Sequence, residues 1–332
     1  MKVLNRVNQL TKRGTKIIGL LFKIVLAIVV IAFIWMRVCS NDRLVYLIRL
    51  RNRYDRVDMV VALGILIVLM LLNWFVETLK WRFIVSRVEK ISLMRAMESV
   101  YCGLSWAVFT PNRIGEFGGR VFFLSSRKRI QGIVAMAVGN VAQLLVTCSF
   151  GIVGFCWFAK VFLRLGDWLF GGCCCLGCSF FVLFSLFYFN IKWLNELLRR
   201  ISFLKRYQSF FAVLVRYRKI DLFRIYGYSL FRYLIFTFQY ALLLHWLIPH
   251  LPTVSSALMI CVWFFVQTIL PSFNLLDVGV RGVTAVYFFA YLTTHELEVL
   301  AVTAGIWFIN LILPAFIGSM FIFKMKIFDG SR

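Results

Sequence analysis

Charged side chains are scarce in this sequence, and acidic ones are the scarcest. Only 16% of the 332 residues are charged, and Asp and Glu number 14 against 38 Lys and Arg. Hydrophobic residues make up 61% of the chain, and its mean hydropathy is +0.85. A soluble globule cannot cover so much apolar surface with so few polar groups. The composition therefore excludes a soluble enzyme and a disordered chain, and it indicates a polytopic membrane protein.

The sequence also lacks the short motifs of several enzyme classes. It contains no GxSxG elbow, no Walker loop, no HExxH pair and no glycine-rich dinucleotide fingerprint, which argues against a serine hydrolase or a P-loop ATPase. None of its three histidines lies at ligand spacing from the pair Cys175 and Cys178, so these cysteines are interpreted as apolar packing residues. We therefore expect no metal site and no cofactor, and we do not expect an enzyme.

The basic surplus gives a formal net charge of +24. In a soluble protein this charge would point to nucleic acid. In a polytopic protein, Lys and Arg gather in cytoplasmic loops and face anionic lipid headgroups. We therefore expect an anionic lipid surface as a partner, and not nucleic acid.

Long apolar runs predict one all-α transmembrane domain over residues 1–332, with about six or seven full membrane spans. These runs are residues 17–36, 59–76, 133–159, 168–189, 225–248 and 297–323. Shorter apolar segments lie at 96–110, 254–270 and 282–292. The short segments are interpreted as parts of two helical hairpins, at about 96–126 and 254–293.

The distribution of Lys and Arg predicts the orientation. Residues 190–224 are rich in both and are expected to form a cytoplasmic loop, whereas 249–253 and 293–298 contain neither and are expected outside. Both termini then lie in the cytoplasm, and the protein is expected in the plasma (inner) membrane. The segment 37–58 carries six arginines although parity places it outside, so its side stays open.

An internal repeat is the most informative feature of the sequence. The pattern acid-x-Gly-x-Arg occurs at Glu116 and at Asp277, and at none of the other acidic residues. Each copy follows a short apolar segment that ends at a proline and precedes a second short apolar segment. The residues concerned are Pro111, Gly115, Glu116, Gly118 and Arg120 in the first copy, and Pro271, Asp277, Gly279 and Arg281 in the second.

This pattern predicts two re-entrant helical hairpins. Proline ends a helix, and glycine permits tight turns and close packing. An acid and an arginine four residues apart on a helix share one face and can pair, which lowers the cost of placing either charge where water is scarce. Pro111, Gly115, Gly118, Pro271 and Gly279 are therefore expected to form the hairpin turns.

The loops that flank the two hairpins differ in charge. Basic loops flank the first hairpin, and loops without Lys or Arg flank the second. The two hairpins are therefore expected to enter the membrane from opposite faces as an inverted repeat, which is typical of many transporters. The alternative is that both motifs are ordinary interfacial turns between full spans.

Several lone polar residues lie inside the apolar runs. They could line a polar groove for a headgroup, or they could serve as hydrogen bonds between helices. These residues are Asn140, Gln143, Gln239, Gln267 and Asn310. Glu77 and Lys80, at the end of the span 59–76, are interpreted as an interfacial ion pair.

The run TPNRIGEFGGR at 110–120 resembles the first signature of the lysylphosphatidylglycerol synthase transmembrane-region family of flippase-like proteins. Members of that family show Pro-x-Arg-x-Gly-Glu followed by Arg, which corresponds here to Pro111, Arg113, Gly115, Glu116 and Arg120. Arg281 stands where the family often has Glu. The resemblance implies a polytopic fold with paired re-entrant helices that handles lipids with polar headgroups. It does not imply aminoacyl transfer.

Our leading expectation is a flippase-like protein that translocates a membrane phospholipid or a polyprenyl-linked lipid with a polar or phosphate-containing headgroup. Arg113, Arg120 and Arg281 would bind the phosphate, while Glu116 and Asp277 would hold those arginines or contact a cationic group. One alternative is an integral-membrane enzyme that acts on lipid-linked glycans or phospholipids. Another is a non-catalytic scaffold that recruits a cytoplasmic partner through the loop 192–224.

Overall fold

The computed structural model describes residues 56–108, 110, 113–194, 196, 208–270 and 277–322. This part of the chain is helical and contains no β-strand. Its helices are α1 (Arg56–Val85), α2 (Leu93–Ala107), α3 (Gly115–Val121), α4 (Arg129–Val161), α5 (Asp167–Phe189), α6 (Gln208–Phe211), α7 (Lys219–Leu247), α8 (Thr253–Ile269), α9 (Asp277–Phe289), α10 (Glu296–Trp307) and α11 (Leu313–Ser319). A π-helix, Phe308–Ile312, joins α10 to α11.

Five segments in the described part are long and apolar enough to cross a membrane, which confirms the predicted helical, membrane-embedded character for this part of the chain. They are Val57–Val85, Ser126–Val161, Asp167–Phe189, Lys219–Leu247 and Glu296–Ser319. Each of them overlaps a span predicted from the apolar runs. The predicted span 17–36 and the segment 37–55 lie outside the described residues.

Helix α4 occupies a central position and packs against α1, α5, α7 and α8. Its glycines allow α8 to approach closely. A Cβ atom at Gly151 would lie 2.4 Å from Cβ of Phe265, and one at Gly154 would lie 2.9 Å from the carbonyl oxygen of Leu258. By contrast, α5 is peripheral, because Tyr188 is its only buried residue. Cys175 and Cys178 are exposed on α5.

Helices α2 and α3 form the first hairpin and pack together through glycine. A Cβ atom at Gly119 would lie 2.5 Å from Cα of Gly103, and one at Gly115 would lie 2.4 Å from the carbonyl oxygen of Trp106. Because residue 103 meets 119 and residue 106 meets 115, the two helices run antiparallel. The hydroxyl of Thr110 accepts a hydrogen bond from the backbone N–H of Gly115 at 2.6 Å and stabilises the turn.

Helices α8 and α9 form the second hairpin, which is joined through side chains. The hydroxyl oxygen of Thr284 on α9 accepts hydrogen bonds from two residues of α8, Trp263 through Nε1 at 3.1 Å and Gln267 through Nε2. Residues 271–276, which include Pro271, lie outside the described residues, as does Pro111 in the first hairpin. Each copy of the repeated motif thus begins a short helix that follows a short apolar helix.

Candidate functional site

A cavity of about 420 Å³ lies where the two hairpins meet helices α1, α4, α7 and α10. The first hairpin contributes Arg113 and Glu116 to its wall, and the second contributes Gln267 and Arg281. The two copies of the repeated motif, which lie more than 150 residues apart in the sequence, therefore border one space.

Glu77 on α1 is the centre of an ion-pair network beside this cavity. Its Oε1 accepts a hydrogen bond from Nη1 of Arg120 at 2.6 Å. Its Oε2 accepts one from Nη1 of Arg232 on α7 and lies 2.8 Å from Nζ of Lys80. The side chain of Glu77 is 4% exposed, and that of Arg120 is 2% exposed. One buried carboxylate thus contacts three cations from three different helices.

Glu116 extends this network on the first hairpin. Its Oε1 accepts a hydrogen bond from Nη2 of Arg120, and its Oε2 lies 3.2 Å from Nη2 of Arg113. The charges therefore alternate along a chain that runs Arg113, Glu116, Arg120, Glu77, Arg232. This chain begins and ends with an arginine, and both of these end arginines line the cavity. We call these five residues together with Lys80 the Glu77 cluster.

The Glu77 cluster contains four cations and two carboxylates, so it carries a surplus of two positive charges. Burying an unpaired charge costs several kcal/mol even after the protein relaxes. Aromatic rings offset part of this cost, because the guanidinium carbon of Arg232 lies 5.2 Å from the ring centroid of Trp74 and that of Arg120 lies 5.8 Å from that of Trp81. The remaining surplus gives the cavity wall a net positive charge.

The backbone of Arg113 is strained. Its φ of 57° lies in the left-handed region, which is uncommon for residues other than glycine. Such strain costs about 1–3 kcal/mol and is found preferentially at functional sites. The strained turn brings the Arg113 side chain to the cavity, where it is 41% exposed and where its Nε has no hydrogen-bond partner among the described residues.

The lone polar residues predicted for a groove take two different positions. Asn140, Gln143, Gln267 and Asn310 line the cavity. Gln239 lies behind it, since its Nε2 donates to the carbonyl oxygen of Leu66 at 2.9 Å and its Oε1 accepts from Nδ2 of Asn310 at 3.0 Å. Gln239 therefore fits the alternative role of a hydrogen bond between helices, and it holds Asn310 in place.

Two amide oxygens at the cavity have no hydrogen-bond partner among the residues that the structure describes. Gln143 donates through Nε2 to the carbonyl oxygen of Ser229 at 3.3 Å, but its Oε1 accepts no hydrogen bond within the described part of the chain. The same holds for Oδ1 of Asn310, a residue that is 6% exposed. Buried polar atoms are usually paired, so these two acceptors are available to donors of a bound group.

The motif residues do not all reach the cavity. Arg113, Glu116 and Arg281 line it, whereas Arg120 is enclosed between Glu77 and Glu116. The i, i+4 pairing expected on the first motif is present between Glu116 and Arg120. The side chain of Asp277 lies outside the described residues.

The predicted turn glycines are found inside helices. Gly115 is the first residue of α3, and Gly118 and Gly279 lie within α3 and α9. A Cβ atom at Gly118 would make only ordinary contacts at 3.8 Å, and one at Gly279 would meet nothing within 4 Å. The turn function expected for Gly118 and Gly279 is therefore corrected, because the close approach of the helices depends instead on Gly103, Gly115 and Gly119.

Sequence reasoning missed the centre of the site. Glu77 and Lys80 form the expected ion pair at 2.8 Å, but both side chains are almost fully buried beside the cavity. Two further cavity residues, Arg232 and Asn73, were not predicted from the sequence. In the structure, Nε of Arg232 donates a hydrogen bond to Oδ1 of Asn73 at 3.0 Å. One feature of the sequence could have identified Glu77, Lys80 and Arg232: each is a charged residue within or next to an apolar span, and such residues are candidates for a functional site.

No family model, no curated protein and no solved structure matches this chain. The geometry of the cavity and the resemblance of residues 110–120 are therefore the observations that bear on function.

Proposed function

We propose that this chain is a flippase-like protein of the inner membrane that binds the phosphate-containing headgroup of a lipid in the cavity and translocates it. The observation that carries the proposal is the surplus of two positive charges on the Glu77 cluster, at a cavity bordered by both hairpins. Phosphate suits this site because a guanidinium offers it two parallel donors. The resemblance of residues 110–120 to a lipid-handling family supports the same function.

The helix lengths support re-entrant hairpins. Helices of 15 and 7 residues, as in α2 and α3, are about 22 and 10 Å long, and the hydrocarbon core is about 30 Å thick. Helices of 17 and 13 residues, as in α8 and α9, are about 26 and 20 Å long. The first hairpin enters from the cytoplasm and the second from outside, and a midplane site between discontinuous helices is common in transporters.

Four basic side chains at the cavity are the proposed phosphate ligands. They are Lys80, Arg113, Arg232 and Arg281, which all line the wall. Arg120 serves to position Glu77 and Glu116 and does not contact the lipid. The unpaired oxygens of Gln143 and Asn310 accept hydrogen bonds from hydroxyl groups of the headgroup.

A transport assay tests this proposal. The full-length protein is reconstituted into vesicles with a fluorescent phospholipid, and the translocated fraction is followed by quenching the outer leaflet. We expect Arg113→Ala to slow translocation about tenfold or more, since losing a charged hydrogen bond costs about 1.5–3 kcal/mol.

Arg127→Ala is the matched control, because Arg127 is exposed and does not line the cavity. It should translocate lipid at the wild-type rate. Equal rates for wild type and Arg113→Ala, at equal reconstitution, would contradict the proposed site.

The enzyme alternative is separated by analysing the lipid after the assay. A translocator redistributes the fluorescent lipid and leaves its mass unchanged. A new lipid species that depends on the protein would replace our proposal with the integral-membrane enzyme.

The opposite insertion of the hairpins is tested by labelling. Gly118→Cys and Gly279→Cys are introduced into a cysteine-free background, since both positions have room for a side chain. We expect a membrane-impermeant maleimide to reach position 118 from the cytoplasmic side and position 279 from the outside. Labelling of both from one side would exclude the inverted arrangement.

A further inference from the structure

We infer that the ligand of this site is a lipid whose phosphoryl group carries two negative charges, a phosphomonoester or a diphosphate, and not a phosphodiester with one. This inference rests on the proposed function and names its substrate class.

The charge balance of the cavity carries the inference. Glu77 and Lys80 come from α1, Arg113 and Glu116 from the first hairpin, and Arg232 from α7, while Arg120 closes the network behind them. The sum is two positive charges. Arg281 of the second motif also lines the cavity, and the formal charges of Asp277 and Arg281 in that motif add up to zero, so the second motif does not change the sum. Among the described residues, no further acidic or basic side chain lines this wall.

The alternating chain of three arginines and two carboxylates carries a surplus of one positive charge, and Lys80, which also contacts Glu77 and lines the cavity, supplies the second. Arg120, in the middle, contacts two carboxylates, whereas Arg113 and Arg232, at the ends, contact one carboxylate each. Both of these incompletely neutralised arginines line the cavity. A group with several charged oxygens can contact both of them, and each contact is a charge-assisted hydrogen bond.

Different headgroups leave different residual charges in this site. A zwitterionic headgroup adds no net charge and leaves the surplus of two, and a phosphodiester leaves one. A phosphomonoester carries about −1.5 to −2 at pH 7, and a diphosphate linked at both ends carries one charge on each phosphorus. Only these dianionic groups neutralise the cluster, so the desolvation cost of buried charge selects them.

The test compares lipids that differ only in the charge of the phosphate. Purified full-length protein in nanodiscs is titrated at pH 7.5 with phosphatidic acid, a phosphomonoester, and with phosphatidylmethanol, a phosphodiester with the same acyl chains. We expect phosphatidic acid to bind about tenfold more tightly. Equal binding, or tighter binding of the diester, would overturn the inference.

Two substitutions change the charge of the cluster by one unit in opposite directions. Asn73→Asp keeps the oxygen that accepts from Arg232 and adds a negative charge. It should reduce the preference for phosphatidic acid to about twofold or less. Glu116→Gln removes a negative charge and should increase the preference.

The double variant, Asn73→Asp with Glu116→Gln, restores the net charge and should restore the wild-type preference. If Asn73→Asp alone does not fold, the effect of the added negative charge is measured by comparing the double variant with Glu116→Gln. A preference that is the same in all folded variants would overturn the inference, because selection would then not follow the charge.

Soluble anions separate this inference from the proposed function. We expect inorganic pyrophosphate to displace phosphatidic acid only weakly, because the lipid also gains contacts through its tails. Tight binding of pyrophosphate alone, with the same dependence on the variants, would keep the charge selection and overturn the lipid substrate. Equal binding of both test lipids, with transport still lost in Arg113→Ala, would overturn the charge selection and leave the proposed function intact.

Discussion

The two hairpins carry the same acid-x-Gly-x-Arg pattern, yet their arginines have different surroundings. Arg120 in the first hairpin is 2% exposed and is held between Glu77 and Glu116. Arg281 in the second is partly exposed and lines the cavity. The difference arises because α1 presents a carboxylate to the first hairpin. A repeated local motif therefore fixes the position of an arginine, while the neighbouring long helix decides its function.

The hairpins also differ in how their helices are joined. The first depends on backbone contact, since Gly103 and Gly119 bring α2 and α3 together. The second depends on side chains, since Thr284 accepts hydrogen bonds from α8. The first is therefore intolerant of added atoms, and the second is sensitive to the loss of a polar group.

The largest expected effect separates the two arginines. Arg120→Ala leaves Glu77 and Glu116 without their common partner, and we expect it to lower the free energy of unfolding by about 3–5 kcal/mol, as for other broken buried ion pairs. Arg281→Ala should change it by less than about 1 kcal/mol, because Arg281 is partly exposed at the cavity wall. Denaturant titration in mixed micelles measures both. Equal losses would break the comparison between the hairpins.

A smaller difference in stability is expected between substitutions of Gly119 in the first hairpin and Gly279 in the second. Gly119→Ala would place a Cβ atom 2.5 Å from Cα of Gly103, and we expect a loss of about 1–3 kcal/mol from overpacking. A Cβ atom at Gly279, within α9, would meet no other atom within 4 Å. Gly279→Ala should therefore stabilise the protein by up to about 1 kcal/mol, because alanine favours the helical conformation more than glycine does. The melting temperatures of the two variants should shift in opposite directions. A downward shift in both would show that the second hairpin is packed as tightly as the first.

The smallest expected effect concerns the hydrogen bonds that connect α8 and α9 in the second hairpin. Thr284→Val removes the acceptor of Trp263 and Gln267 at nearly constant volume, and we expect a loss of about 1–2 kcal/mol. Thr268→Val is the control, since Thr268 is exposed and its hydroxyl donates to the carbonyl oxygen of Phe265 in the same helix. If the two variants have the same melting temperature, apolar packing and not Thr284 holds the second hairpin together.

Hydropathy sufficed to predict the helical, membrane-embedded character, because the long apolar runs fix both length and helix type. The repeated motif also pointed to Glu116 and Arg281, and the resemblance of residues 110–120 pointed to Arg113; all three line one cavity. The sequence did not reveal Glu77 as their counterpart. Its contact with Arg232 spans 155 residues, and an apolar run predicts the depth of a residue in the membrane but not the direction in which it faces.

The glycines show the same limit. Spacing drew attention to Gly118 and Gly279, whereas the close helix contact is made by Gly103 and Gly119. A glycine matters for packing only when a second helix approaches it, and the partner helix is not visible in the local pattern. Gly103 lies outside the repeated motif altogether, so no feature of that motif could have identified it.

The π-helix Phe308–Ile312 changes the direction in which side chains face between α10, which precedes it, and α11, which follows it. Before it, α10 turns Thr303 toward the cavity wall, and within it the carbonyl oxygen of Asn310 accepts from Nε1 of Trp74 at 3.1 Å. After it, the carbonyl oxygen of Ala315 accepts from the hydroxyl of Ser105 in the first hairpin at 2.6 Å. Because each residue advances an α-helix by about 100°, deleting one residue here would rotate α11 away from that hairpin. The π-helix thus sets the rotation between the half of the helix that lines the cavity and the half that contacts the first hairpin.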